Sequence, residues 1–176
     1  LVMVAGLLGA SFHLSRSAAR HELQQSQDIA LRTRVQALTA VLSRQRAVAT
    51  VLADDGAMQQ ALAAPPGALR IAASQKLARL RARTESAVIY LLDRHGVAVA
   101  ASNWQEPTSF VGNDYAFRDY FSGAVTGGAA EQFALGTVSK RPGLYITSRV
   151  DDGGEPLGVV VVKVEFDQVE ADWRAL

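Results

Sequence analysis

Apolar residues recur at steps of three and four along the first third of the chain, a spacing that places them on one face of a helix. From Ser15 to Ala53 there is no proline or glycine, and strong helix formers dominate. A helix this long cannot bury its apolar face within so small a domain, so we expect it to pack on a second copy of the chain or along the following domain. The predicted apolar face consists of Leu31, Val35, Leu38, Val41, Leu42, Val48, Val51 and Leu52.

Two breaks follow this predicted helix. The run Asp54-Asp55-Gly56 ends it, and Pro65-Pro66-Gly67 forms the second break. A short helix is predicted between the breaks, from Ala57 to Ala63. A second amphipathic helix is predicted from Ala68 to Arg83, with inward positions at Leu69, Ala73, Leu77 and Leu80.

The pattern changes from helix to strand beyond residue 84, where apolar and β-branched runs alternate with turn sequences. Asp93 to Gly96 and Asp151 to Gly154 are predicted hairpin turns, and Gly127-Gly128 ends a short helix predicted from Phe117 to Val125. The tail from Asp167 to Leu176 is predicted to be helical. Together these elements predict an α+β fold, with a long N-terminal helix followed by a five-stranded antiparallel sheet and flanking helices. The predicted strands are Ala87–Leu92, Val97–Ala101, Glu131–Thr137, Leu144–Val150 and Leu157–Phe166.

The first 14 residues form an apolar run, which is shorter than the roughly 20 residues that a helix needs to cross a bilayer. A buried helix or the core of a signal peptide is the plainer interpretation. We favour the end of a transmembrane helix whose beginning lies outside the sequence, because no cleavage motif is obvious and the helical pattern continues. On this interpretation the chain is a piece of a longer, membrane-anchored protein.

Composition argues against several classes of function. The 18 Lys and Arg residues against 17 Asp and Glu residues give a net charge of +1, so charge gives no reason to expect nucleic-acid binding. Cysteine is absent from the sequence, which excludes disulfides and thiolate metal sites. His13, His21 and His95 have no metal-ligand spacing, and there is no Gly-x-Ser-x-Gly motif for a nucleophilic serine. We therefore expect no catalytic residue, no metal and no cofactor in this segment.

The segment from Asn113 to Phe121 is the first candidate site, because it places Arg118 among tyrosines and phenylalanines. An arginine can hold a carboxylate through two parallel hydrogen bonds, and surrounding aromatic rings exclude water and strengthen such bonds. The pattern indicates a pocket for a small anion. The alternative is a surface salt bridge from Arg118 to Asp114, Asp119 or Glu131.

Lys163 is the second candidate. It interrupts the apolar run from Leu157 to Val164, whose continuity predicts a strand buried on both faces. A buried ammonium group without a counter-charge is costly, and a bound carboxylate would supply the missing partner. The alternative is an edge strand from which the lysine reaches water.

Other polar side chains are weaker candidates for the same pocket. Tyr115 is favoured over Tyr120, although either ring could pack in the core with its hydroxyl in water. Thr137 is also explained by the preference of β-branched residues for strands. The remaining candidate pocket walls are Ser139, Tyr145 and Ser148.

Five short motifs, spread over the predicted loop and strands, carry a resemblance to a known family. They are Asn103-Trp104, Ser109–Gly112, Tyr115–Phe121, Ala134–Thr137 and Gly158–Val164. They resemble the periplasmic double-Cache (PAS-like) sensor domains of bacterial C4-dicarboxylate sensor histidine kinases of the DctB type. The resemblance covers residues 86–173 by motif and the preceding helices by the order of elements.

This resemblance implies a ligand, a site and a cellular setting. In the family, the membrane-distal module binds succinate, fumarate or malate through a loop arginine and tyrosine, a threonine on the next strand and a lysine on the last strand. The matching positions are Tyr115, Arg118, Thr137 and Lys163. The resemblance further implies a bacterial inner-membrane protein with this segment in the periplasm, a homodimer formed through the N-terminal helix, and a kinase domain outside this sequence.

The resemblance also gives a domain assignment. Residues 1–14 would be the end of a transmembrane helix, residues 15–83 a helical spine, and residues 84–176 the membrane-distal Cache domain. The segment itself is expected to be no enzyme.

Two other functions remain open at this point. A chemoreceptor or diguanylate cyclase sensor for an amino acid or another small carboxylate would keep the fold. However, an amino-acid pocket needs an acidic group for the ammonium, and Asp151 and Asp152 lie in a glycine turn. The other function is a structural module that dimerises through the long helix and binds no ligand. Lys163 favours the dicarboxylate sensor.

Overall fold

The computed structural model describes residues 2–65, 67–84 and 86–166, with side chains from residue 27 onwards. Four helices and five strands lie within these residues, in the predicted α+β organisation. The chain divides into two compact units, residues 1–40 and residues 41–176. The predicted helical tail, residues 167–176, lies outside the described residues.

The helices begin and end close to the predicted positions. Helix α1 runs without interruption over Val2–Ala53. Asp55 then caps α2 (Gly56–Ala63) by accepting a hydrogen bond of 2.9 Å from the Ala57 N–H. Helices α3 and α4 cover Ala68–Thr84 and Asp119–Gly127. Searched over its described residues, the chain shows no helix with a stretch long and apolar enough to cross a bilayer.

The five strands form one antiparallel sheet. They are β1 (Val88–Asp93), β2 (Ala98–Ala101), β3 (Ala129–Leu135), β4 (Pro142–Asp152) and β5 (Glu155–Val164). Their order in the sheet is β2-β1-β5-β4-β3, which places β5 at the centre. Residues 158–164 of β5 are all buried. The predicted burial of this strand on both faces is confirmed, and the alternative of an edge strand is wrong.

The two faces of the sheet bury different kinds of residue. One, the helical face, packs aliphatic side chains against α2, α3 and the last turns of α1. The other, the aromatic face, is covered by α4 and by a loop that contributes Phe110 and Tyr115. Because successive side chains of a strand point to opposite faces, Val162 of β5 lies on the helical face, whereas Val161 and Lys163 lie on the aromatic face.

Strand β3 ends earlier than predicted. It stops at Leu135, and Thr137 lies in a turn rather than in a strand. The chain reverses here because the Gly136 N–H donates to the Arg141 carbonyl at 2.9 Å and the Lys140 N–H donates to the Gly136 carbonyl at 3.1 Å. This turn, residues 136–140, joins β3 to β4.

The predicted inward faces of the helices are only partly buried. In α1, Leu52 is 3% exposed but its neighbour Val51 is 69% exposed, because consecutive residues of a helix point about 100° apart. Within residues 27–40, Leu31 and Val35 are also exposed. In α3, Leu77 is buried as predicted, whereas Leu69 is exposed.

Candidate ligand-binding site

The segment that carries Arg118 is held against the sheet by a close backbone approach at Gly96. The Tyr115 N–H donates to the Gly96 carbonyl at 2.8 Å. Gly96 has a φ of 84°, and a Cβ at this position would lie 2.6 Å from the backbone of Ala116. Only glycine accommodates both the positive φ and the close backbone contact. The β1–β2 turn therefore fixes the position of the backbone at Tyr115.

Four tyrosines and Phe110 fill the aromatic face. The ring centroid of Tyr90 lies 5.2 Å from that of Phe110 and 5.3 Å from that of Tyr115. Tyr120 stacks on Tyr145 with centroids 5.0 Å apart. The hydroxyls of Tyr90 and Tyr120 share a hydrogen bond of 2.7 Å. Tyr120 therefore has the core role that its sequence context left open, since its hydroxyl is satisfied within the protein.

Two buried polar atoms of the Arg118 segment have no hydrogen-bond partner within the described residues: the phenol oxygen of Tyr115 and Nε of Arg118. Arg118 uses another nitrogen, Nη2, to donate to the Leu135 carbonyl at 2.8 Å. Its guanidinium carbon lies 4.9 Å from the ring centroid of Phe117. An unpaired buried polar group costs about 1–3 kcal/mol. Two such groups in one segment therefore mark a place suited to a polar ligand.

The acidic residues that could have formed a surface salt bridge with Arg118 have other partners. Glu131 accepts a hydrogen bond of 2.9 Å from Arg46, and Asp119 accepts one of the same length from Gln132. Asp114 accepts from a backbone N–H two residues later. Among the described residues, Arg118 thus contacts a backbone carbonyl rather than a carboxylate.

Burial controls the ionisation of the tyrosines. It raises the pKa of Tyr115 to about 12 and also raises the pKa values of Tyr120, Tyr145 and Tyr90. The positive charge of Arg118 lowers the pKa values of Tyr115, Tyr120 and Tyr145, so the guanidinium lies within electrostatic reach of three phenols. Thr137 also lowers the pKa of Tyr115, although its contact with the phenol does not have hydrogen-bond geometry. At neutral pH the phenols remain protonated and can act as donors.

Lys163 is completely buried, but it is not unpaired. Its ammonium donates to the Ser139 hydroxyl at 2.7 Å and to the Glu165 carboxylate, and it lies 5.8 Å from the ring centroid of Tyr145. Its Cε would lie 2.9 Å from a Cβ at Gly143, so glycine on the neighbouring strand leaves room for the side chain. The expectation that the chain itself offers Lys163 no counter-charge is wrong, because Glu165 supplies one.

The turn at residues 136–140 connects the two candidate groups. Thr137 of this turn is exposed and lowers the pKa of Tyr115. Ser139 of the same turn accepts a hydrogen bond from the Lys163 ammonium. Tyr145 connects them as well, since both the Arg118 charge and the Lys163 ammonium lie near it.

Ser148 does not belong to this cluster. It pairs directly with Val160 of β5, whose side chain lies on the helical face. Tyr145 lies three residues earlier in β4, and an odd offset along a strand reverses the face. The prediction that Ser148 lines the pocket is therefore wrong.

A cavity of about 500 Å³ opens beside this cluster. Its wall includes Glu165, Ser139, Arg141 and Phe110, whereas Lys163, Tyr115 and Arg118 do not line it. Arg141 Nη1 lies 3.6 Å from the Glu165 carboxylate. A molecule that enters the cavity therefore meets Glu165 before it meets Lys163.

The wall of the same cavity is joined to α1 by a buried polar network. Ser86 lines the cavity and donates to the Gln45 side-chain carbonyl at 2.8 Å. The Gln45 amide donates to the Thr84 carbonyl at 2.8 Å, and the Thr84 and Ser86 hydroxyls are also 2.8 Å apart. Gln45 is only 2% exposed, so the network is part of the interior.

Sequence reasoning missed two buried or half-buried polar residues of the aromatic face. Glu165 follows Lys163 by two residues, and the two-residue period of an extended chain could have predicted that they share a face. Thr147 is buried, donates to the Tyr120 carbonyl at 3.2 Å and accepts from the Ala130 N–H at 3.1 Å. Its position opposite Val161 becomes apparent only once the β4–β5 register is known.

Comparison with known proteins gives close relatives. Along 99% of its length, the chain is similar to the C4-dicarboxylate transport sensor protein DctB of Rhizobium meliloti (strain 1021), with 58% identity over 177 residues. A protein of the same name from Pseudomonas aeruginosa is 39% identical over 137 residues, or 77% of this chain. The chain spans 28% and 22% of the lengths of these two relatives. No family model matches the sequence.

A solved structure shares the fold. The sensor domain of the V. cholerae histidine kinase DctB superposes on this chain with a TM-score of 0.78 at 28% identity. The match covers 87% of this chain and 60% of that one. The five-stranded sheet with its long N-terminal helix therefore has a counterpart among sensor domains.

Proposed function

Since the chain belongs to the DctB-type sensor domains, we propose that it binds a small dicarboxylate in the periplasm as part of a sensor histidine kinase. The observation that carries this proposal is the pair of buried donors without partners, the Tyr115 hydroxyl and Arg118 Nε. A carboxylate accepts hydrogen bonds from both kinds of donor. The names of the relatives, which are sensor proteins for C4-dicarboxylate transport, support this class of ligand.

Two carboxylates would contact two groups of residues. Arg118 and Tyr115 bind one, and Lys163 binds the other with help from Thr137 and Ser139. The stacked rings of Tyr120 and Tyr145 border this region, and a low local dielectric would strengthen each charge-assisted bond. A ligand with two negative charges could contact both cationic side chains, whereas a monocarboxylate could contact only one of them.

The dimer and the membrane anchor form part of the same proposal. Leu31 and Val35 expose 61% and 56% of their surface, and large exposed apolar residues on a helix indicate an interface. We propose that α1 forms a homodimer through these positions. We also propose that residues 1–14 are the end of a transmembrane helix in the inner membrane. Ligand would then shift the population between two arrangements of the protein, to the extent that it binds one of them better.

A sensor for amino acids is the second candidate, and one observation favours it. Glu165 lines the cavity and could receive the ammonium group of an amino acid. Its carboxylate is already paired with Lys163, however, which leaves it less available to the ammonium group of a ligand.

Calorimetry and thermal unfolding test the proposal. Succinate, malate and fumarate at millimolar concentration should raise the melting temperature, because a ligand that binds only the folded state stabilises it. Butyrate and neutral amino acids should have much smaller effects. Arg118→Ala should abolish the shift while the protein stays folded, and Arg79→Ala, which removes an exposed arginine of α3, should preserve it. Absence of any shift with all three dicarboxylates would overturn the proposal.

A further inference from the structure

The Glu165 carboxylate is shared between two cations in different surroundings. Its Oε1 accepts from the Lys163 ammonium, and its Oε2 lies 3.6 Å from Arg141 Nη1. The Lys163 side chain is 0% exposed, that of Glu165 is 19% exposed and that of Arg141 is 62% exposed. Glu165 thus stands between a buried ammonium and a guanidinium at the surface.

The position of Glu165 also controls access to Lys163. Glu165 and Arg141 line the 500 Å³ cavity, and Lys163 does not. A ligand carboxylate that approaches Lys163 from the cavity meets the Glu165 carboxylate and the Ser139 hydroxyl, which both hold the ammonium, and we infer that it takes the place of the carboxylate. The two carboxylates cannot share that place, because like charges repel at hydrogen-bond distance.

We propose that Glu165 is an internal competitor of the ligand, which holds Lys163 when no ligand is bound and moves to Arg141 when a ligand carboxylate replaces it. This inference rests on the dicarboxylate function proposed above. It assigns to Glu165 and Arg141 a role in the affinity and specificity of the site.

The exchange keeps the buried ammonium paired at every stage. Removing the only counter-charge of a buried ion is strongly destabilising, so Lys163 needs a carboxylate both with and without ligand. Glu165 needs only a small rotation to leave, because Arg141 is already within ion-pair distance.

The exchange also favours a ligand with two carboxylates. A monocarboxylate would replace one ion pair at Lys163 by another and would gain little. A dicarboxylate would extend past the residues that line the cavity and place its second group at Arg118 and Tyr115, whose buried donors have no other partner within the described residues. Glu165 therefore lowers the affinity of every ligand carboxylate for Lys163, and only a ligand with a second carboxylate offsets this cost at Arg118 and Tyr115.

Glu165→Gln tests the competition. Glutamine keeps the size of the side chain and can still accept a hydrogen bond from Lys163, but it carries no charge. We expect the unliganded variant to melt at a lower temperature and to bind succinate about tenfold more tightly by calorimetry, because one nearby negative charge is removed. Butyrate should gain affinity by a similar factor. Glu155→Gln is the matched control, since it makes the same charge change at the exposed start of β5 and should leave the affinity unaltered.

The outcomes separate this inference from the proposed function. Succinate binding to the wild type, with equal or weaker binding to Glu165→Gln, overturns the competition and leaves the dicarboxylate function in place. Loss of amino-acid binding in Glu165→Gln, where the wild type binds amino acids and not succinate, overturns both. Failure of both proteins to bind any dicarboxylate also overturns both.

Arg141→Gln tests the second half of the exchange and places little demand on folding, because the Arg141 side chain is 62% exposed. We expect succinate to bind about two- to threefold more weakly, as exposed ion pairs contribute little. The same substitution in the Glu165→Gln background should have no effect, since there is no displaced carboxylate to receive. An equal loss in both backgrounds would mean that Arg141 contacts the ligand directly, which would overturn the transfer.

Discussion

The two faces of the sheet use the same five strands for different purposes. The helical face buries small and aliphatic side chains against α1, α2 and α3. The aromatic face buries four tyrosines and is joined by a fully buried lysine. Aliphatic packing needs no specific partner, whereas each buried polar group must find one. The helical face therefore supplies stability to the fold, and the aromatic face holds the groups that a ligand can satisfy.

Alkaline pH should give the largest difference between the faces, because the four buried phenols all lie on the aromatic one. Burial raises the pKa of Tyr115 to about 12 and that of Tyr90 well above its usual range. A phenol with a raised folded-state pKa contributes stability that is fully present below its unfolded value near 10 and is lost as pH rises through the folded value. Urea unfolding at about pH 9 and about pH 11.5 should show a marked loss of stability. Equal stability at both pH values would show that the phenols are not buried in this way.

A cavity in the helical face should give the next largest effect. Leu77→Ala removes a completely buried side chain from α3 and should lower the free energy of unfolding by about 3 kcal/mol. Ligand affinity of the folded fraction should stay the same, since the aromatic face is untouched. Leu69→Ala on the same helix is the control, and it should cost little because Leu69 is exposed. A large change in affinity with Leu77→Ala would mean that the two faces are not separable.

Two tyrosine substitutions compare a paired hydroxyl with an unpaired hydroxyl on the aromatic face. Tyr90→Phe removes one hydroxyl of the 2.7 Å bond and leaves the buried Tyr120 hydroxyl unpaired, so the free energy of unfolding should fall by about 1–2 kcal/mol. Tyr115→Phe removes a hydroxyl without a partner among the described residues and should leave stability unchanged or slightly higher. The same Tyr115→Phe protein should lose dicarboxylate affinity in calorimetry. The opposite order of stabilities would contradict the assignment of the two hydroxyls.

The smallest effect is expected at the ion pair between Arg46 and Glu131. Their side chains are 47% and 36% exposed, and pairs this exposed contribute at most about 1 kcal/mol. Arg46→Gln should therefore change the free energy of unfolding little, and the change should disappear at high salt because the charges are screened. A loss that persists at high salt would indicate that Arg46 stabilises by packing.

Local patterns predicted the elements well because each depends on neighbouring residues. The continuous apolar run around Lys163 predicted a doubly buried strand, and β5 lies at the centre of the sheet. Gly128 at the end of α4 has the positive φ of 84° that a helix end favours. The buried faces of the helices were predicted less accurately. Val51 and Leu52 are adjacent and were both assigned to the apolar face of α1, but only Leu52 is buried.

The candidate site depended on register, which a single sequence does not reveal. Tyr145 lies directly opposite Lys163 across β4 and β5, and this pairing brings a predicted wall residue to the predicted lysine. Ser148 is three positions further along β4 and points to the other face. The counter-charge of Lys163 was missed because the ligand was expected to supply it, although Glu165 stands only two residues away.

The Gln45 network restrains the part of α1 around residue 45 in one position relative to Thr84 and Ser86. Aliphatic contacts allow a helix to slide or rotate by small amounts, because they depend little on angle. Hydrogen bonds weaken steeply when their angle or length changes. The hydrogen bonds that Gln45 makes with Thr84 and Ser86 therefore hold this part of α1 in one position and orientation until both bonds break. A displacement of the cavity wall at Ser86 would reach α1 as a discrete step rather than as a gradual drift.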